Sequence, residues 1–212
     1  MPAKILQKTR DFASLGLWNI TESTDELISL AGLGAQEFAL YNTFSNDTRR
    51  KHWLSYRALV KQMLDGRQFN LVYDTYGKLH PDDGSFHLSV SHSGDYSAAI
   101  VNQQTSVGID VEKMTPRILK IADRFMGPAE LAGLPSNCLT EYYYVYWGAK
   151  EALFKYYAKG SLEFRTQLQI LPFELSEAGT VTGSILTDTF SETLTLKYEL
   201  FENYILVHTE NL

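Results

Sequence analysis

The chain alternates strand-like and helix-like segments in an order that begins again about halfway along its length. In the first half, a strand-like segment is followed by a helical pattern and then by further strands; after the polar stretch 102–106, the order of strand, helices and strands is repeated. A chain of 212 residues with 44% hydrophobic residues can bury a core in each of two such halves. This order predicts two α+β halves of similar size, covering residues 1–105 and 106–212.

Two segments have the residue spacing of long helices. The first follows Asn46, carries apolar residues at intervals of three and four, and is predicted to stop at Gly66. The second is the aromatic-rich run LTEYYYVYWGAKEALFKYYAKG, which is predicted to end at Gly160. Between the two helices, residues 69–103 alternate apolar and polar side chains around two turn signals, which predicts a β-meander.

Composition and charge exclude several classes of protein. The net charge of −6 argues against broad, sequence-independent binding of nucleic acid, which needs a basic surface. No run approaches the roughly 20 apolar residues that cross a bilayer, and the charged start MPAKILQKTRDF lacks the apolar block of a secretory signal. We therefore expect a soluble, cytoplasmic protein with no membrane or nucleic-acid partner.

A lone cysteine limits the chemistry further. Cys138 is the only cysteine, which excludes an internal disulfide framework and a zinc site made of several thiolates. It is either a nucleophile or, more commonly, a small structural apolar residue.

The segment SVGIDVEKM places two carboxylates in what otherwise resembles a buried strand. Its apolar residues alternate with Gly108, Asp110 and Glu112, so both carboxylates are predicted on one face of an extended chain. Two neighbouring carboxylates in a partly dry site ionise together only if a proton, a basic side chain or a cation compensates them. An exposed strand edge is the simpler alternative, and a bound metal ion is the more specific one.

The second long helix carries another acidic group. Glu151 and Lys155 are four residues apart and therefore neighbours on one helix face, and Trp147 lies one turn earlier on the same face. By itself, a Glu–Lys pair at this spacing is usually a solvated pair of little energetic weight.

Two further sets of polar residues are candidates for binding an anion. Ser91 and His92 lie where an apolar strand runs into the turn of SVSHSG, a place where hydroxyl, imidazole and backbone N–H groups can meet a phosphate. A basic set is formed by Lys78 in the turn YGK and three arginines of the first long helix, Arg49, Arg50 and Arg57. Each set also has a structural explanation when it is considered alone.

The combination of these motifs in one order resembles the 4′-phosphopantetheinyl transferases, enzymes that move the phosphopantetheine arm of coenzyme A onto a serine of a carrier protein. VGIDVEK is followed about forty residues later by WGAKEALFK, and the two are preceded in order by RRKHWLSYR, YGK and SVSHSG. The resemblance runs from about residue 49 to residue 160. The length matches the long, surfactin-synthetase-activating (Sfp-like) type, in which two halves are fused in one chain.

The resemblance implies a fold and a division of labour. The fold would be α+β, a pseudo-twofold pair of similar α/β halves, each an antiparallel sheet packed with helices. Residues 1–105 would mainly bind coenzyme A, and residues 106–212 would carry the magnesium site and catalysis. Because the two halves are already fused, a monomer is expected.

The resemblance also implies roles for individual residues. Asp110, Glu112 and Glu151 would be the Mg²⁺ ligands, and Lys155 would contact the diphosphate of coenzyme A. Glu151 or a metal-bound water would take the proton of the attacking serine, so that Glu151, Lys155 and Asp110 form the catalytic set. The residues implied to touch coenzyme A are Arg49, Arg57, Lys78, Ser91, His92, Asp110 and Lys155.

Two other functions remain open at the level of the sequence. A strand bearing DVEK with a nearby Glu and Lys is also compatible with a Mg²⁺-dependent nuclease, although that function would favour a basic groove. A non-catalytic module that binds coenzyme A or a carrier protein would keep the basic residues without needing all three carboxylates. The main prediction is a transferase whose partners are coenzyme A and an apo acyl or peptidyl carrier protein.

Overall fold

The structure is a computed structural model that describes residues 4–9, 12–65, 67 and 69–210. It divides after Ser106 into two compact units. The end predicted for the first long helix, Gly66, lies outside the described residues.

The N-terminal unit contains a four-stranded sheet and a two-stranded ribbon, both antiparallel. The strands are β1 (Lys4–Thr9), β2 (Ala13–Asn19), β3 (Leu71–Tyr73), β4 (Leu79–Pro81), β5 (His87–Ser93) and β6 (Tyr96–Asn102). The larger sheet has the order β1-β2-β6-β5, and β3 pairs with β4. The stretch predicted as one meander therefore contributes hairpins to two different sheets, because strand pattern alone does not say which hairpins join.

Three helices complete the N-terminal unit: α1 (Thr24–Ala31), α2 (Ala35–Tyr41) and α3 (Asp47–Met63). Helix α3 begins after Asn46, whose side chain accepts a hydrogen bond from the backbone N–H of Arg49 at 2.9 Å. Its apolar face packs on the sheet, with Leu59 lying against Gly16 of β2. The predicted start of this helix is confirmed.

The C-terminal unit is built on one five-stranded antiparallel sheet with the order β7-β11-β10-β9-β8. Its strands are β7 (Ile109–Lys113), β8 (Leu168–Ile170), β9 (Ala178–Leu186), β10 (Ser191–Phe201) and β11 (Tyr204–Thr209). The edge strand β7 carries Asp110 and Glu112.

The helices of the C-terminal unit are α4 (Ala122–Phe125), α5 (Pro128–Ala132) and α6 (Leu139–Tyr157), with a 3₁₀ helix at Pro116–Lys120. Helix α6 packs across β7 and β11. It ends three residues before the predicted Gly160, because Ala158 adopts a left-handed conformation (φ 49°) and its N–H caps the carbonyl of Phe154. The sequence pattern predicted that Gly160 ends the helix, whereas the structure shows that Ala158 does so.

Both units pair antiparallel sheets with helices, so the predicted α+β class is confirmed. Across the described ranges, no helix combines the length and the apolar character needed to span a bilayer.

Candidate active site

Two glycines allow helix α6 to lie directly on strand β7. A Cβ atom at Gly108 would overlap the carbonyl oxygen of Ala152, and one at Gly148 would lie 2.7 Å from Cγ2 of Val207 and 3.7 Å from Oδ2 of Asp110. Real Cβ atoms essentially never come within 3.0 Å of another heavy atom, so a side chain at Gly108 would require the backbone to move, and one at Gly148 would require Val207 to shift. Both glycines stand inside the quoted motifs, but sequence reasoning gave them no role.

The carboxylates of β7 face this helix. Alternate strand residues Gly108, Asp110 and Glu112 lie on the helix side, as the period of two in an extended chain requires. The helix residues that meet them are Ala152, Gly148, Lys155 and Trp147. Gly148, Ala152 and Lys155 recur at intervals of four and three positions, and Trp147 is next to Gly148, so one helix face covers one strand face.

Asp110 and Lys155 form the ion pair of the site. Lys155 Nζ donates a hydrogen bond to Asp110 Oδ1 at 2.7 Å, and the side chains are 25% and 4% exposed, respectively. The lysine therefore neutralises a nearly buried carboxylate, which answers in part how the strand tolerates it. Lys155 also acts on Glu151, its neighbour on α6, and its ion pair with Asp110 reaches across to the strand.

Glu151 lies in the electrostatic field of both strand carboxylates. Burial raises the pKa of Glu151 to about 7; the negative charges of Asp110 and Glu112 act in the same direction, and Lys155 opposes them. Three carboxylates from two separate segments thus share one neighbourhood. Such a cluster favours either a retained proton or a bound cation.

Glu112 is held from the helix by an aromatic residue. Trp147 Nε1 donates to Glu112 Oε1 at 3.4 Å. The indole is packed between the rings of Phe125 and Phe164, with centroids 5.1 Å and 5.7 Å away. The sequence had placed Trp147 on the correct helix face, but its contact with Glu112 is a finding of the structure.

A pocket of about 300 Å³ opens beside Glu112 and Trp147. Lys113 and Arg117 contribute positive charge to its lining, and Tyr144 is among its aromatic residues. Of the three carboxylates, Glu112 therefore borders open space.

The carboxylates do not form a preformed metal site. Within the described part of the chain, no group of three or more His, Cys, Asp or Glu side chains is arranged to hold a metal ion. In this state Asp110 contacts Lys155, and Glu112 contacts Trp147. The structure brings the three predicted ligands into one neighbourhood without joining their oxygens around a common point.

In the N-terminal unit, strand β5 presents His92 next to helix α3. The exposed ring of His92 stacks on His52, with ring centroids 4.5 Å apart and an angle of 20° between the planes. His52 Nε2 lies 2.8 Å from the carbonyl oxygen of Gly94. Ser91, the preceding residue, is buried.

His52 was missed by sequence reasoning, and its position in RRKHWLSYR, three residues after Arg49 on the same helix face, is the signal that could have found it.

The two predicted arginines differ in environment. Arg57 is 3% exposed: its Nε donates to Glu37 Oε1 at 2.9 Å and its Nη1 to the hydroxyl of Tyr56 at 2.7 Å. Its guanidinium also lies 3.4 Å from the centre of the Trp53 ring. Arg49 is exposed and its guanidinium lies above the ring of Phe44.

Lys78 is half-buried near the start of β5. Its Nζ lies 3.4 Å from Ser106 Oγ, and burial lowers the pKa of Lys78 to about 8, against the opposing charge of Asp74. Burial lowers the pKa of His87, the first residue of β5, and the positive charge of Lys78 acts in the same direction. Lys78 and His92 therefore lie towards opposite ends of this strand.

Comparison with known proteins identifies the family. Residues 106–207, the segment that contains β7, α6 and the three carboxylates, match the family model described as the 4′-phosphopantetheinyl transferase superfamily. The matched segment makes up 102 of the 212 residues, so about half of the chain is similar to this superfamily. The family predicted from the motifs, in its Sfp-like type, is thereby confirmed.

Individual transferases of this superfamily resemble the chain over part of their length. The 4′-phosphopantetheinyl transferase Sfp of Bacillus subtilis (strain 168) is 35% identical over 101 residues, which is 46% of this chain and 45% of the relative. The psf-1 transferase of Bacillus pumilus is 33% identical over 110 residues, 49% of this chain and 47% of the relative. The ffp transferase of Bacillus subtilis is 37% identical over 147 residues, 66% and 65% of the two chains. The chain thus spans about half the length of the first two and somewhat more of the third.

Proposed function

We propose that the protein is a 4′-phosphopantetheinyl transferase, a holo-carrier-protein synthase that moves the phosphopantetheine arm of coenzyme A onto a serine of an apo acyl or peptidyl carrier protein and releases 3′,5′-ADP. The observation that carries this proposal is the meeting of Asp110, Glu112, Glu151 and Lys155 where α6 crosses β7. These residues lie within the segment that matches the superfamily. The relatives that resemble the chain bear the name of this activity.

The carboxylates are proposed to hold Mg²⁺. Carboxylate oxygens are the hard ligands that Mg²⁺ prefers. Burial raises the pKa of Glu151, and the negative charges of Asp110 and Glu112, which a divalent cation would offset, act in the same direction. The donor set therefore fits the ion in chemistry, with Asp110, Glu112 and Glu151 as ligands. When bound, Mg²⁺ would offset the charge of the coenzyme A diphosphate. Lys155, which contacts Asp110 here, is then available to pair with the diphosphate instead.

The transfer is proposed to be a direct displacement. The serine hydroxyl oxygen attacks the β-phosphorus of coenzyme A, and the bond from that phosphorus to the bridging oxygen breaks with its electron pair leaving on 3′,5′-ADP. Glu151 takes the serine proton as the general base. Lys155 neutralises the charge that develops on the leaving group. No covalent intermediate with the enzyme is needed, and Cys138 has no role in this scheme.

The N-terminal unit is proposed to supply most contacts with coenzyme A. An exposed His92 stacked on His52, and a Lys78 ammonium that burial destabilises, are both groups that a phosphate would stabilise in the charged form. Arg49 is exposed and available to an anion. The full proposed set is Arg49, Arg57, Lys78, Ser91 and His92, with Asp110 and Lys155 from the C-terminal unit.

Arg57 is proposed to act from inside the N-terminal unit. Its guanidinium holds the hydroxyl of Tyr56, whose ring stacks at 6.2 Å on His92. Loss of Arg57 would therefore disturb the coenzyme A contact of His92 even without a direct bond from Arg57 to the ligand.

The test is a transfer assay read by mass spectrometry. The protein is incubated with Mg²⁺, coenzyme A and a panel of apo carrier proteins, and a gain of one phosphopantetheine on the carrier is expected. An unchanged mass for every carrier, with a known transferase as positive control, would count against the proposal. Binding of coenzyme A without transfer would favour a binding module, and cleavage of supercoiled DNA in a parallel reaction would favour a nuclease.

A further inference from the structure

The neighbour of Glu151 on α6 is a fully buried lysine that the proposed chemistry does not use. Lys150 is 0% exposed, and its Nζ donates to Glu130 Oε2 at 2.7 Å, to the carbonyl of Phe125 at 2.8 Å and to the carbonyl of Phe164 at 2.9 Å. An ammonium group has three N–H donors, and all three are satisfied here. Lys150 therefore contacts neither solvent nor any substrate.

Glu130, the partner of Lys150, accepts hydrogen bonds with both of its carboxylate oxygens. Glu130 Oε2 also accepts the N–H of Gly127 at 2.7 Å, and its Oε1 accepts the N–H of Ile170 at 2.9 Å. The carboxylate thus ties the start of α5 and the strand β8 to the middle of α6. Removing both charges from water costs free energy that offsets much of their mutual attraction, so a buried ion pair adds little to the stability of the fold. When all its hydrogen bonds are made, its main effect is to fix the geometry of the segments that it joins.

This ion pair is connected to the carboxylate cluster through aromatic residues. Phe125 and Phe164, whose carbonyls Lys150 holds, are the residues whose rings enclose Trp147. The indole N–H of Trp147 in turn contacts Glu112. A change at Lys150 would therefore shift the walls around Trp147 and the direction of its hydrogen bond.

The same pair sets the rotation of α6. Successive residues of an α-helix point about 100° apart, since there are 3.6 residues per turn. Anchoring Lys150 towards Phe125 and Glu130 leaves Glu151 directed towards the strand carboxylates, where its pKa senses Asp110 and Glu112.

We infer that Lys150 and Glu130 form a positioning pair that directs Glu112, through Trp147, and Glu151, through the rotation of α6, towards the proposed metal. This inference rests on the proposed function, because it concerns the same carboxylates. It assigns the pair no contact with substrate or metal.

Three variants test the pair and the aromatic link. Glu130→Gln keeps the shape of the side chain but removes its charge, and Trp147→Phe keeps an aromatic ring but removes the N–H that contacts Glu112. Leu196→Ala is the control, because Leu196 is buried in the same core on β10 and takes no part in the hydrogen bonds of Lys150, Glu130 and Trp147 described above, so its loss lowers stability alone. Mn²⁺ binding is titrated by electron paramagnetic resonance, alone and with coenzyme A, and transfer kinetics are measured on the same samples.

Glu130→Gln is expected to weaken Mn²⁺ binding by about tenfold or more, the usual effect of losing a group that orients metal ligands. Trp147→Phe should show a smaller loss in the same direction. In both variants kcat should fall while KM for coenzyme A stays nearly unchanged, and Leu196→Ala should bind Mn²⁺ like the wild type.

Wild-type Mn²⁺ affinity in Trp147→Phe would overturn the inference, even if Glu130→Gln failed to fold. A loss of affinity in Leu196→Ala equal to that in Glu130→Gln would overturn it as well, since general destabilisation would then explain both. If the wild type itself neither binds Mn²⁺ nor transfers phosphopantetheine, the proposed function fails. If the wild type does both and the variants match it, the positioning role alone fails.

Discussion

At the scale of single residues, the site is governed by how each charge is compensated. Asp110 is nearly buried and is paired with Lys155, whereas burial, together with the charges of Asp110 and Glu112, raises the pKa of Glu151. In the N-terminal unit the Lys78 ammonium is disfavoured by burial, so its pKa falls. Each of these environments becomes more favourable when a cation or a phosphate binds, which links the charges of the free protein to its proposed ligands.

We predict that Glu151→Gln and Asp110→Ala each reduce transfer by at least about 100-fold, as expected for losing charged groups that act in the transition state. Both variants should remain folded, because glutamine matches the size of Glu151, and Lys155 is exposed enough to reach water when Asp110 is removed. Single-turnover transfer and far-UV circular dichroism are the measurements. Wild-type kcat in either folded variant would show that the ligand assignment is wrong.

We also predict a pH dependence of stability that arises from Lys78. The pKa of Lys78 is about 8 in the folded protein, against an ordinary value of 10.5. Between pH 8 and pH 10.5, Lys78 is therefore mostly protonated in the unfolded chain and mostly neutral in the folded protein. Below pH 8 the folded protein bears the full cost of burying the charge, and this cost is relieved as the pH rises. The free energy of unfolding of the wild type, minus that of Lys78→Met, should therefore increase from about pH 8 to about pH 10.5.

Urea unfolding of both proteins at a series of pH values measures this difference. Lys120→Met, which removes an exposed lysine of the other unit, controls for the loss of a positive charge in general. A difference that stays constant or declines over the range would contradict the burial of the Lys78 ammonium.

At the scale of elements, the decisive feature is the close approach of α6 to β7. The helix contributes Glu151 and Lys155, the strand contributes Asp110 and Glu112, and Gly108 and Gly148 provide the space for the contact. The strand has a period of two and the helix a period of 3.6, so the facing positions coincide only in one orientation of the helix over the strand. The Lys150–Glu130 pair lies on another side of the same helix and fixes that orientation.

We predict that Gly108→Ala lowers the free energy of unfolding by about 1–3 kcal/mol or more, the cost typical of an overpacked interior. The added Cβ would meet backbone atoms of Ala152, which cannot rotate away as a side chain can. Gly133→Ala is the matched control in the same unit, because its Cβ would make only ordinary contacts. Chemical denaturation measures both, and equal stability of the two variants would mean that α6 does not lie as close to β7 as described.

At the scale of the whole molecule, two units each combine an antiparallel sheet with one long helix and have separate cores. We propose that the N-terminal unit mainly binds coenzyme A and that the C-terminal unit holds the metal and performs catalysis. We further propose that the protein acts in the cytoplasm as a monomer without nucleic acid, which the net charge of −6 supports.

We predict that specific transfer activity is independent of protein concentration. An active site assembled between subunits would lose activity on dilution below the dissociation constant, whereas a site within one chain would not. Specific activity measured over about a 100-fold dilution should stay constant, and light scattering should give the mass of one chain. A fall in activity that parallels a fall in mass would indicate an obligate oligomer.

The sequence by itself determined the family, the α+β class and the two long helices, because these depend on local periodicity and on motifs in a fixed order. It also placed Asp110 and Glu112 on one strand face, and Glu151 and Lys155 on one helix face. Only the tertiary structure decided that Lys155 pairs with Asp110, that His52 stacks on His92 and that Lys150 is buried beside Glu130. The physical reason is that periodicity defines which residues share a face, whereas packing between distant segments defines what that face meets.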